Sequence, residues 1–193
     1  MQQDDLDHHF QDQVLLLHLK LVLKLDHIPV MLSLLKGLFK DITDNRINYV
    51  NVLNVAEERG ISLKFSYNSE QVSYSNLVRA IVKTDSAEFS LEGCLFDGKL
   101  IKLTKIMDYQ VDVSPNGAML LVHNKDIPGV VGKVGTVLGS FEINIAEFIL
   151  SRNDSGEIAC SIIKIDDPIS NDIVSKIAEL EEIINIKQII INE

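Results

Sequence analysis

Between Ala118 and Ile191 the apolar residues switch between the two-residue period of strands and the roughly 3.6-residue period of helices. Ala118–His123 reads as a strand. Pro128–Phe141 carries Val130, Val131, Val134, Val137, Leu138 and Phe141 on one helical face, with Pro128 suited to the first turn, where its missing N–H costs nothing. Asn144–Ser151 and Glu157–Ile165 read as strands joined by the loop Asn153-Asp154-Ser155-Gly156. Ser170 is an expected N-cap for a helix with Ile173, Val174, Ile177 and Leu180, and Ile184–Ile191 is a closing strand. The order β-α-β-β-α-β is the split βαβ, or ferredoxin-like, arrangement.

The preceding region is a different α+β pattern. Leu15, Leu17, Leu19, Leu21, Leu23 and Leu25 keep a strict period of two, with His18, Lys20 and Lys24 on the other side. That favours a half-buried strand, although the i, i+4 pair Lys20/Lys24 leaves a helix open. Met31–Phe39, after Pro29, and Asn51–Arg59, ended by Gly60, have helical spacing. From Ile61 to Val113 the pattern is β-like, with strands expected at Leu77–Thr84, Glu88–Phe96 and Lys99–Met107 and a hairpin turn at Asp97-Gly98. Ser114-Pro115-Asn116-Gly117 is a turn cluster, so the expected domains are 14–115 and 117–193, behind an acidic extension at 1–13.

Charge narrows the function. Eighteen Lys+Arg against 28 Asp+Glu give a net charge of −10, with no basic stripe to meet a nucleic-acid backbone. Val14–Leu25 is apolar but only 12 residues long and contains two lysines, too short for the ~20 residues of a membrane span. Residues 1–13 carry four aspartates and no Lys or Arg, the wrong charge for a signal peptide. A cytoplasmic protein with reduced thiols at Cys94 and Cys160 is the expectation.

Catalytic patterns are missing. Gly132, Gly135 and Gly139 do not match G-x-G-x-x-G, and no P-loop, H-E-x-x-H, G-x-S-x-G or C-x-x-C occurs. His8-His9 could hold a stray metal, but a polar tail is the better reading, and no metal site is expected. Arg46, Arg59, Lys64 and Arg79 are either an anion site or solvated charges. One segment stands out: His123-Asn124-Lys125-Asp126-Ile127-Pro128-Gly129-Val130, a strand end turning into a helix N-terminus. Such a terminus offers unpaired N–H groups and partial positive charge to a carboxylate, while Asp126 would meet an ammonium. Gly129 would let a ligand approach the backbone. A free amino acid fits both ends; the alternative is that Asp126 only caps the helix. Asn144, at the start of an apolar strand, is either a turn residue or a hydrogen-bonding group for an amino-acid backbone.

These residues resemble the regulatory ACT domain of D-3-phosphoglycerate dehydrogenases. The likeness lies in Leu121–Gly139 (LVHNKDIPGVVGKVGTVLG) and Ile143-Asn-Ile-Ala146. Upstream, Leu35-Lys-Gly-Leu38, Arg46–Asn51 and Ala56–Ile61 resemble the intervening, or allosteric substrate-binding, domain of the same enzymes, so the likeness covers about residues 14–193. The resemblance implies an intervening α+β domain followed by a ferredoxin-like ACT domain. It implies binding of L-serine or a similar small amino acid at Asn124, Asp126, Ile127, Pro128, Gly129 and Val130, with Asn144 supplied by a partner subunit. It also implies a homodimer through ACT domains.

The family oxidises 3-phosphoglycerate with NAD in serine biosynthesis, but its catalytic Arg, Glu and His and its Rossmann fingerprint have no counterpart here. No cofactor is therefore expected in this chain, nor hydride transfer by it alone. It is either a separated fragment or a stand-alone regulator, with a catalytic dehydrogenase polypeptide as a candidate partner. Two alternatives are an ACT-mediated assembly module without an effector and the regulatory part of an iron–sulfur L-serine dehydratase. The latter's cluster-binding cysteines are not found.

Overall fold

The leucine alternation does form a strand. In the computed structural model, which describes residues 14–21, 27–40, 46–67, 76–153 and 156–191, β1 runs Val14–Leu21. The acidic segment 1–13 with His8-His9, and Leu23 and Leu25, lie outside the described residues. The chain divides into two compact units, Met1–Leu95 and Phe96–Glu193.

In the first unit β1 pairs in parallel with β2 (Ser62–Tyr67) and antiparallel with β3 (Val78–Thr84), which pairs antiparallel with β4 (Glu88–Phe96). A parallel pair needs a crossover, and two helices supply it: α1 (His27–Phe39) and α2 (Val52–Glu58). The first helix starts four residues before Met31, with Pro29 inside its opening turn, where no N–H is needed. Met31, Leu35 and Phe39 recur every four residues and pack with Leu17, Val52, Ala56, Ile61 and Ala80. The second helix ends on Gly60 (φ 71°). There Ile61 N–H donates to Ala56 O and Gly60 N–H to Glu57 O, the paired bonds of a Schellman stop.

The second unit opens with the turn at Asp97-Gly98, both at positive φ (50° and 68°) as a two-residue hairpin loop demands. The hairpin β5 (Leu100–Ile106) and β6 (Tyr109–Val113) follows. Next come β7 (Gly117–Lys125), α3 (Val130–Ser140), β8 (Ile145–Arg152), β9 (Ile158–Ile165), α4 (Asn171–Ala178) and β10 (Ile183–Ile191). Their sheet order is β10-β7-β9-β8, so the expected βαββαβ succession is a four-stranded antiparallel sheet with β8 and β10 at its edges. Leu120, Val122 and Ile163 on one face pack with Val134 and Leu138 of α3 and Ile177 of α4.

The opposite face is also apolar, and Val111 and Val113 of the hairpin cover its Met119 and Ile162. The compact unit thus takes in a hairpin that precedes the turn cluster at Ser114–Gly117. Ser170 stands at the N-cap of α4, but its carbonyl rather than its hydroxyl is engaged, accepting from Ile173 and Val174 N–H. Cys94 and Cys160 are buried and are not joined in a disulfide. Among the described residues no helix is long and apolar enough to cross a membrane.

Candidate functional site

The junction of β7 and α3 frames a cavity of about 230 Å³. Its lining includes six residues expected from the sequence: Asn124, Asp126, Ile127, Pro128, Gly129 and Val130. Three more, Val131, Leu150 and Arg152, were not anticipated.

The local geometry departs from expectation at the helix start. The helix begins at Val130, so Pro128 lies outside the first turn, and Gly129 is the N-cap at φ 95°, ψ −17°. The proline ring fixes its own φ and steers Ile127 away from helical conformation, so the chain turns on the glycine instead. A Cβ at Gly129 would meet nothing within 4 Å, which makes its backbone conformation, not crowding, the reason for glycine. No side chain caps α3. Its first-turn N–H groups keep the unpaired character that suits an anion.

Asp126 is therefore not the cap. Its Oδ2 accepts from Arg152 Nε at 2.7 Å, with the carboxylate side chain 15% exposed and the arginine 66% exposed. Register explains the meeting, because Arg152 of β8 and Asn124 of β7 both pair with Ala159 on β9 between them. The Asp126 N–H is tied to Glu157 O, which fixes the corner at the mouth of the β8–β9 hairpin.

Asn124 is buried, and its amide is used within the protein: Nδ2 donates to Lys125 O at 2.8 Å and Oδ1 accepts from Ser161 Oγ at 3.4 Å. On the far side of the corner, Lys133 pairs with Glu182, whose backbone carbonyl accepts from Lys125 N–H. The lysine's hydrogen bond holds the Glu182 carboxyl below its ordinary value.

Asn144 is not in this cavity. It precedes β8, at the opposite end of the strand from Arg152, and its Nδ2 donates to Asp166 Oδ2 at 2.9 Å. At about 3.3 Å per residue, the strand puts roughly 25 Å between the two positions. The four cations considered as an anion site are engaged unevenly: Arg79 pairs with Glu92, and the Arg59 guanidinium sits 5.8 Å from the centre of the Phe39 ring.

The described lining carries no hydroxyl, thiol, imidazole or amine side chain. It offers one carboxylate, one guanidinium, one amide, a helix start and apolar walls. The carboxylate, the guanidinium and the helix start are chemically matched to a small charged molecule.

Comparison with known proteins bears on the family. Residues 12–107 match the family model of the D-3-phosphoglycerate dehydrogenase intervening domain. D-3-phosphoglycerate dehydrogenases align with 31% identity over 152 residues in Synechocystis sp. and 36% over 155 residues in Archaeoglobus fulgidus, each covering 79% of this chain. The Bacillus subtilis enzyme aligns with 29% identity over 168 residues, 87% of the chain. The chain spans 27%, 29% and 32% of the lengths of these three relatives. Among solved structures, the ACT domain of the Chlorobium tepidum GTP pyrophosphokinase aligns at 17% identity with a TM-score of 0.30, covering 39% of this chain and 88% of that one. Residues 12–107 thus match the D-3-phosphoglycerate dehydrogenase intervening domain, and the chain, which continues into a ferredoxin-like βαββαβ unit, is related to the C-terminal regulatory part of those enzymes.

Proposed function

We propose that this chain is the effector-sensing part of a cytoplasmic D-3-phosphoglycerate dehydrogenase system, and that it binds L-serine or a similarly small amino acid at the β7–α3 corner. The observation that carries this reading is a cavity in which the Asp126 carboxylate and the uncapped start of α3 stand on the same corner, opposite partners for an ammonium and a carboxylate. Oxidation of 3-phosphoglycerate with NAD would then belong to a catalytic domain or polypeptide that this chain regulates.

Two copies would pair through the open edge of β8. A two-fold antiparallel pairing sets the first residues of one β8 beside the last of the other, which brings the partner's Asn144 toward the cavity it cannot reach within its own chain. The outer face of α3 supports a close approach, since Gly132, Gly135 and Gly139 all look onto open space. An effector held between copies would stabilise one arrangement of them by its differential affinity for it.

The test is a thermal-shift titration of the full chain with L-serine, glycine and L-alanine at millimolar concentration, alongside sedimentation. A ligand that binds only the native state raises the melting temperature. A rise with serine and a dimer in solution are the expected results; a folded chain unmoved by all three amino acids overturns the sensing role. One observation favours the second reading, assembly without an effector: Asp126 already has a counter-ion in Arg152. The same titration separates the two.

A further inference from the structure

We propose that Arg152 shares with the start of α3 the anchoring of the ligand's carboxylate at this site, and that its pairing with Asp126 restricts the cavity to zwitterions. The inference rests on the amino-acid reading above and adds to it a residue that decides which ligands are accepted. The two charges sit 2.7 Å apart at one wall of the cavity, so that wall is locally neutral.

A bare ammonium gains Asp126 only by working against the guanidinium already bound there. A bare carboxylate gains Arg152 only beside the aspartate. At ion separations of about 4 Å each such clash is of the order of the attraction it accompanies. A molecule with both groups on one carbon removes the conflict. Its ammonium takes the other oxygen of Asp126, and its carboxylate takes the guanidinium edge.

The guanidinium carries five N–H donors, and its contact with Asp126 is made through Nε, on one side of the fork. A planar fork of this kind matches a carboxylate in two parallel hydrogen bonds. Its 66% exposure puts the head at the rim, where an entering ligand meets it first. Leu150, two residues earlier on β8, shares its face of the sheet and gives the ligand's side chain an apolar wall. The volume, about 230 Å³, equals roughly eight water-sized groups at ~30 Å³ each, which suits a small amino acid rather than a large one.

Calorimetric titration of the full chain with three probes tests the idea: L-serine, ethanolamine (serine without its carboxylate) and 3-hydroxypropanoate (serine without its ammonium). The native chain should bind serine and neither analogue. Arg152→Ala should weaken serine tenfold or more and, by unmasking Asp126, bring ethanolamine into measurable binding. Arg152→Lys, which keeps the charge and loses the fork, should fall between. Arg152→Gln serves if the alanine variant does not fold, and each variant is checked by its melting curve. Serine affinity within twofold of native in a folded Arg152 variant, or ethanolamine bound no better than by the native chain, overturns the role of Arg152 alone. A native chain that binds no amino acid overturns the site and this proposal together.

Discussion

The imidazole of His123 and the phenol ring of Tyr109 lie 5.6 Å apart, centre to centre, with their planes at 60°. The contact joins β6 to the end of β7, where His123 faces Cys160 in register on β9. Burial lowers the His123 pKa below 6.5, and burial, followed by Cys160 and Asp108, raises that of Tyr109 above 10. The folded chain therefore keeps the imidazole neutral where the unfolded chain takes up a proton. Stability from this source is complete above pH 6.5 and is lost as pH falls below it. Differential scanning calorimetry should show the melting temperature falling from pH 7 to pH 5, with a shallower slope in His123→Gln. Equal slopes in the two proteins would remove His123 from the account.

Asp126→Ala should weaken L-serine binding by at least tenfold, because a hydrogen bond to a charged group contributes about 1.5–3 kcal/mol. Asp126→Asn keeps an acceptor without the charge and should lose less. Isothermal titration gives both numbers.

Gly129→Ala isolates backbone strain. Nothing crowds the added methyl, while φ of 95° penalises any L side chain by roughly 1–2 kcal/mol. Urea denaturation should show that loss of stability. A variant as stable as the native chain would mean that the corner can be rebuilt around a different turn.

Burial pushes the Cys160 thiol up to about 11. With so little thiolate at pH 8, it should resist an aromatic disulfide reagent in the native protein and react once urea unfolds the chain. Rapid labelling of the native protein at Cys160, located by peptide mass spectrometry, would contradict the buried position.

Local pattern was enough for most elements. The spacing of Val130, Val134 and Leu138 announced α3, because that periodicity is imposed by a single buried face, and the apolar run Glu157–Ile165 after a turn-rich loop announced β9, which is buried on both faces. The cavity's own segment was legible for a similar reason: Asp126 to Val130 is one short run in which turn chemistry and ligand chemistry coincide. Arg152 was not, since its role depends on two strands being level across a third. The equal reach of β8 and β9 on either side of the loop at Asn153–Gly156 was the signal that could have placed it. The Pro128 expectation failed because proline at the first turn and proline just before a glycine cap look alike in sequence. Tyr109, Val111 and Val113 alternate as a strand should, but no local rule says which sheet face they will cover.

That cover has a practical corollary for anyone dissecting the gene. A truncated version starting at Gly117 would keep every ferredoxin-type element yet strip the roof from Met119 and Ile162, leaving a wet greasy plane prone to clumping. Starting at Phe96 instead carries the roof along. Poor behaviour of the shorter product would then speak about where the scissors fell, not about the strength of the fold.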